Sequence, residues 1–128
     1  MIRITATAGL LSLVLAVVAG TAAQAAGDAA AGEKVFKRFC TTCHIATEKG
    51  SPRQGPTLWG VVGRKAGSVE GFRYTSANKN SGLTWTPEEL DKYLTDPRAV
   101  VPGTAMAFAG VKNPEERANL IAYLATLK

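Results

Sequence analysis

Histidine is almost absent from this chain, with only His44 among 128 residues. Cysteine is nearly as scarce, at Cys40 and Cys43, and methionine occurs only as Met1 and Met106. These shortages exclude several sites. A structural zinc site takes four ligands, drawn mostly from Cys and His, and the chain supplies three such residues, all in one pentapeptide. A metal held between two histidines is excluded outright. The 15 basic residues exceed the 10 acidic ones, for a formal charge of +5, but they are dispersed, with no run of five or more like charges. Nothing resembles a base-stacking platform or a recognition helix, so no nucleic-acid partner is expected. The positive excess reads either as a plain solvated surface or as a means of steering towards an acidic protein partner. Repeats, low-complexity segments and an alternating strand pattern around the cysteines are also missing.

What is present begins with the N-terminus. Arg3 gives a short positive region, Leu10 to Ala19 is apolar apart from Ser12, and Ala23-Gln24-Ala25 places small residues where a signal peptidase reads. No charge lies between Arg3 and Asp28. The segment 1–25 is read as a secretory signal peptide cut after Ala25, which leaves a 26–128 domain and lowers the charge to +4. The alternative is an uncleaved anchor, since Ile4 to Ala26 has the length of a membrane span. The segment is not rich in Arg and Ser as a mitochondrial transit peptide would be. Export to the periplasm is expected, with no stable membrane insertion after cleavage. About 100 residues form one domain with a modest core.

Cys40-Thr41-Thr42-Cys43-His44 is the most informative stretch. Two thiols three positions apart with an imidazole directly after them form the attachment signature of a c-type haem. Residues i and i+3 share one side of a helical turn. Both thiols therefore reach one haem edge, and the histidine sits beneath the ring to bind iron. A thioredoxin-like redox switch needs a βαβ setting that is not visible here. A plain structural pair of small apolar thiols is the remaining alternative. A haem would serve as a core element, so the chain without it is expected to be poorly folded.

Three main helices are predicted. The first runs from an Asp28 cap to about Cys40, with Gly32, Val35, Phe36, Phe39 and Cys40 on one side. Gly32 costs helix stability, which points to close packing of another element there. The second begins at Thr86-Pro87-Glu88-Glu89, buries Leu90, Tyr93 and Leu94, and ends at Asp96-Pro97. The third begins at Asn113-Pro114-Glu115-Glu116 and turns Leu120, Ile121, Leu124 and Leu127 inward. About forty residues between the first two are rich in Gly, Ser, Asn and Pro, with a short helical turn at Ser76 to Asn80. A loop that long is reasonable if it wraps a ligand. The fold class is all-α, with short helical turns and long loops around one covalent haem.

Iron takes a second axial ligand. Met106 is the sole thioether after the signal segment, and it lies in a Pro- and Gly-marked loop rather than on a helix face. Met/His ligation suits an electron-carrying c haem. Lysine, water or no ligand remain alternatives on the residues alone, as does a Met106 that only fills the core.

The chain resembles the class I cytochromes c, close to the mitochondrial type and to bacterial soluble cytochromes c. The Cys40–His44 motif and the loop from Pro102 to Lys112 carry this. So do Gly55-Pro56-Thr57-Leu58, Gly63-Arg64-Lys65, the run from Phe72 to Asn80, Leu83-Thr84-Trp85, Glu115-Glu116-Arg117 and the run from Leu120 to Leu124. The resemblance spans Gly27 to Lys128. It implies a cytochrome c fold with haem c bound through Cys40 and Cys43 and iron held by His44 and Met106. It implies further that the Pro56 carbonyl fixes the His44 ring and that Arg64, Tyr74, Asn78, Trp85 and Thr104 surround the propionates. Tyr93 would hydrogen-bond on the methionine sulfur side, Phe108 would cover the haem edge, and Gly32 would let the first helix cross the last beside Tyr123. Ordinary core packing with satisfied polar tips is the alternative for Trp85, Tyr74 and Tyr93. Two departures stand out. Phe39, Arg98, Ala99 and Ala105 occupy positions where mitochondrial members carry lysines around the haem edge, and Pro52 stands where many carry a second histidine.

The function implied is a soluble, monomeric, single-haem electron carrier and not an enzyme. Its partners would be redox proteins: a membrane quinol-oxidising cytochrome complex, and a terminal oxidase or another reductase or dehydrogenase. The alternatives are an enzyme or gas sensor with open iron, for which the Met106 loop offers no acid–base group, and a tethered subunit of a larger dehydrogenase, for which no extra domain or linker is seen.

Overall fold

Each helix starts where a short polar side chain can accept from free backbone N–H groups. The computed structural model describes residues 26–128, so the expected signal segment lies outside the described residues. Helix α1, Ala29–Phe39, is capped by Asp28, which accepts from Ala30 at 2.8 Å and Ala31 at 3.0 Å. Helix α2 is the short Ser76–Asn80 turn capped by Thr75. Helix α3, Pro87–Thr95, is capped by Thr86, with Pro87 at its start and Glu88 and Glu89 in its first turn. Asp96 then has an extended backbone, ends α3, and caps helix α4, Pro97–Val100, by accepting from Ala99 at 3.2 Å. Helix α5, Pro114–Leu124, is capped by Asn113.

Helices α1 and α5 cross in close contact because glycine removes side chains from the crossing. A Cβ at Gly32 would overlap the Asn119 carbonyl and come 2.9 Å from the Tyr123 Cβ. The Asn119 side chain accepts from the Asp28 N–H at 2.7 Å, and the Phe36 and Tyr123 rings lie 5.3 Å apart. Leu120 is fully buried and Phe36 is 3 % exposed, and each such side chain contributes about 1.5–3 kcal/mol. Phe39 departs from the expected buried side of α1, since it is 40 % exposed and packs on Phe108. It is the last residue of the helix.

The long connection from α1 to α2 has no regular structure beyond turns. Its backbone is paired locally: Gly55 N–H donates to the Cys43 carbonyl at 2.8 Å and Leu58 N–H to Ile45 at 2.9 Å. Arg64 donates to the Trp59 carbonyl at 2.8 Å and the Thr57 carbonyl at 2.9 Å. One antiparallel bridge, Lys65 to Thr84, joins this connection to the residues before α3. No helix among the described residues is long and apolar enough to cross a membrane.

Candidate haem site

The residues just past α1 make the first wall of the site. The helix ends in a turn in which the His44 N–H donates to the Cys40 carbonyl at 2.9 Å. That turn brings Cys40, Cys43 and His44 to the same cavity of about 380 Å³, a size within the range of cofactor sites. The two cysteines are not joined in a disulfide. Burial, with the neighbouring Cys43 adding to it, pushes the Cys40 thiol up to about 11. Disulfide exchange is favoured by a lowered thiol pKa, and at Cys40 the shift runs the other way. Cys43 Sγ lies 3.4 Å from Gln54 Oε1.

His44 is held in one orientation. Its Nδ1 lies 2.8 Å from the Pro56 carbonyl oxygen, which can only accept, so Nδ1 carries the proton and Nε2 is free to ligate. A Cβ at Gly55 would strike the imidazole, 2.6 Å from Nδ1 and 2.8 Å from Nε2. Glycine therefore lets the backbone close against the ring. Burial lowers the His44 pKa; the Pro56 contact works against this and Arg64 adds to it. The neutral imidazole is the form that binds metal.

The opposite wall comes from α3 and the loop after α4. Tyr93 on α3 donates its hydroxyl hydrogen to Met106 Sδ at 3.3 Å, and Met106 N–H donates to Thr104 Oγ1 at 3.2 Å. Burial raises the Tyr93 pKa, while Thr104 and Asn78 lower it, so the hydroxyl stays a donor at neutral pH. The Trp85 ring packs 4.6 Å from that of Tyr93. Arg64, Arg73, Tyr74, Thr75 and Asn78 also line the cavity. Phe108 lines it beside Phe39, at 5.9 Å between rings, and the Arg38 guanidinium lies 4.4 Å from the Phe39 ring.

All twelve residues named from the sequence as haem contacts therefore line one cavity. Sequence reading missed the close approach of Gly55, the Gln54 contact and Arg73. Only the position of Gly55, directly before Pro56, hints at its part. An open notch beside Asp96, Arg98 and Lys112 carries no thiol, imidazole or thioether. No group of three or more His, Cys, Asp or Glu residues that could hold a metal ion occurs among the described residues.

The donor set fits a haem. Two thiols stand on one wall with an imidazole that has one free nitrogen, a thioether stands on the other, and guanidinium and hydroxyl groups suit carboxylates. The core depends on what fills this space. Of the fourteen buried apolar residues among the described ones, eight line the cavity: Cys40, Val61, Trp85, Leu90, Tyr93, Leu94, Leu120 and Leu124.

Comparison with known proteins agrees. Residues 29–128 match the family model described as cytochrome c. The chain is 55 % identical over 111 residues to a cytochrome c2 of Rhodomicrobium vannielii, covering 87 % of this chain and 88 % of that one. It is 50 % identical over 106 residues to a cytochrome c2 of Blastochloris viridis, covering 83 % of each. It is 52 % identical over 99 residues to a cytochrome c of Chlamydomonas reinhardtii, covering 77 % of this chain and 88 % of that one.

With more than half of the buried apolar residues facing the cofactor cavity, the Cys40→Ala, Cys43→Ala double variant, made without haem, should show no cooperative thermal transition by circular dichroism. A native-like transition would contradict this dependence.

Proposed function

This chain belongs to the cytochrome c family, and we propose that it works as a periplasmic carrier whose single haem iron is held between His44 and Met106. As a member of that family it binds haem c covalently through Cys40 and Cys43 and carries electrons rather than transforming a substrate. The haem, when bound, supplies an iron that alternates between the ferrous and ferric states.

The observation that carries the ligand assignment is the pairing of two fixed donors across one cavity. His44 is oriented by Pro56, and the Met106 sulfur is oriented by Tyr93. A thioether and a buried site both favour the reduced state and raise the potential. The Tyr93 hydroxyl draws electron density from the sulfur and acts in the same direction. Arg64, Tyr74, Asn78, Trp85 and Thr104 would receive the propionates, and Phe108 would cover the haem edge. Ligands fixed on both sides leave little to rearrange when the iron changes charge.

The partners are redox proteins. We assign electron delivery to a membrane quinol-oxidising cytochrome complex and electron removal to a terminal oxidase or another reductase or dehydrogenase. Such encounters are small and weak. Phe39 and Phe108 offer an apolar contact at the cavity mouth, and the net positive charge of the chain makes docking sensitive to salt. The 1–25 segment would direct export and be removed after Ala25.

Met106→Ala should keep the covalent haem, lose the weak red charge-transfer band of the ferric form and have a lower reduction potential. An unchanged potential would remove Met106 from the iron. N-terminal sequencing of the protein from a periplasmic extract should begin at Ala26; an intact Met1 in the membrane fraction would show an uncleaved anchor instead.

A further inference from the structure

Arg117 is a buried charge that the haem site does not use. It is 9 % exposed and does not line the cavity. Its Nε donates to Asp91 Oδ1 on α3 at 2.6 Å, and its Nη1 donates to the Val111 carbonyl at 2.9 Å, with a longer contact to the Lys112 carbonyl at 3.4 Å. Val111 is the end of the loop that carries Met106. It is 2 % exposed, and its own N–H donates to the Leu94 carbonyl on α3 at 2.7 Å. Next to it, Gly110 has φ +97° and packs so tightly that a Cβ would overlap the Thr95 carbonyl. The far end of the methionine loop is therefore laid on the last turn of α3, and Arg117 ties both to α5. Helix α3 also carries Tyr93, which meets the Met106 sulfur.

We infer that Arg117 is a positioning residue for Met106, holding the loop so that the thioether stays on the iron when another ligand competes. The inference rests on the reading of Met106 as an axial ligand. For Met106 to leave, the loop must swing away from α3. That motion takes the Val111 carbonyl from the guanidinium and leaves a buried charged donor short of a partner, which is costly. Lysine keeps the charge at this position but cannot reproduce the planar fork that reaches Asp91 and Val111 together.

The test is a titration of the ferric holoprotein with imidazole, followed by loss of the red charge-transfer band. Arg117→Lys should bind imidazole about tenfold or more tightly than the unaltered protein, and Asp91→Asn should shift the affinity in the same direction. Asp91→Asn keeps the side-chain volume and carries the test if Arg117→Lys fails to assemble. Gly32→Ala, at the α1–α5 crossing, is the control: it should lower the melting temperature without changing imidazole affinity. Wild-type affinity in both Arg117→Lys and Asp91→Asn would overturn the inference. So would an equal shift in Gly32→Ala, which would reduce Arg117 to general stability. Absence of the band from the unaltered ferric protein would instead overturn the ligation reading, and this inference with it.

Discussion

The contact between the His44 ring and the Pro56 carbonyl, 2.8 Å long, governs the chemistry of the site. A carbonyl can only accept, so it fixes which nitrogen carries the proton and leaves the other for iron. The backbone supports this contact from both sides. Gly55 brings no side chain against the imidazole, and its N–H returns to the Cys43 carbonyl at 2.8 Å. The cysteine turn and the Pro56 segment therefore close on each other and hold the thiols and the imidazole on one wall. Any substituent at Gly55, or a shift of Pro56, would disturb ligand and attachment together.

The second wall uses the opposite strategy. Met106 stands on a loop, with no helix of its own, and borrows rigidity from α3. Tyr93 addresses the sulfur, while the Leu94 and Thr95 carbonyls meet Val111 and Lys112 further along, at 2.7 and 2.6 Å. An electron carrier needs its two oxidation states to share one geometry. A ligand tied down through several contacts to one helix meets that need even where the chain has no regular structure. The same economy of structure explains the core. A domain this small buries a limited share of its surface, and a covalent aromatic plate extends what eight of the fourteen buried apolar residues among those described can pack against.

Local chemistry was legible in the residues themselves, whereas the long-range contacts of Pro56 with His44 and Tyr93 with Met106 were expected only through the family resemblance. The caps at Asp28, Thr86 and Asn113 act within three residues, so α1, α3 and α5 begin where a short polar side chain precedes Ala29, Pro87 or Pro114. The Cys40–His44 spacing is equally local. Asp96-Pro97 was readable as a stop for α3. That the same pair also starts α4 was not foreseen, because one aspartate serves both helices from an extended backbone. Phe39 fits the apolar face of α1 by spacing, yet it is exposed and packs on Phe108 of the methionine loop. The burial of Arg117 and the approach of Gly55 to His44 depend on segments distant in space or on backbone path, and no periodicity reports them.

The central claim is that one iron is closed between His44 and Met106. Proton NMR of the ferrous protein examines it most directly, because protons held over the face of a macrocycle are shifted strongly upfield by its ring current. The account predicts a methyl resonance of Met106 far upfield of ordinary methyl groups. A Met106 methyl at its ordinary position would contradict it.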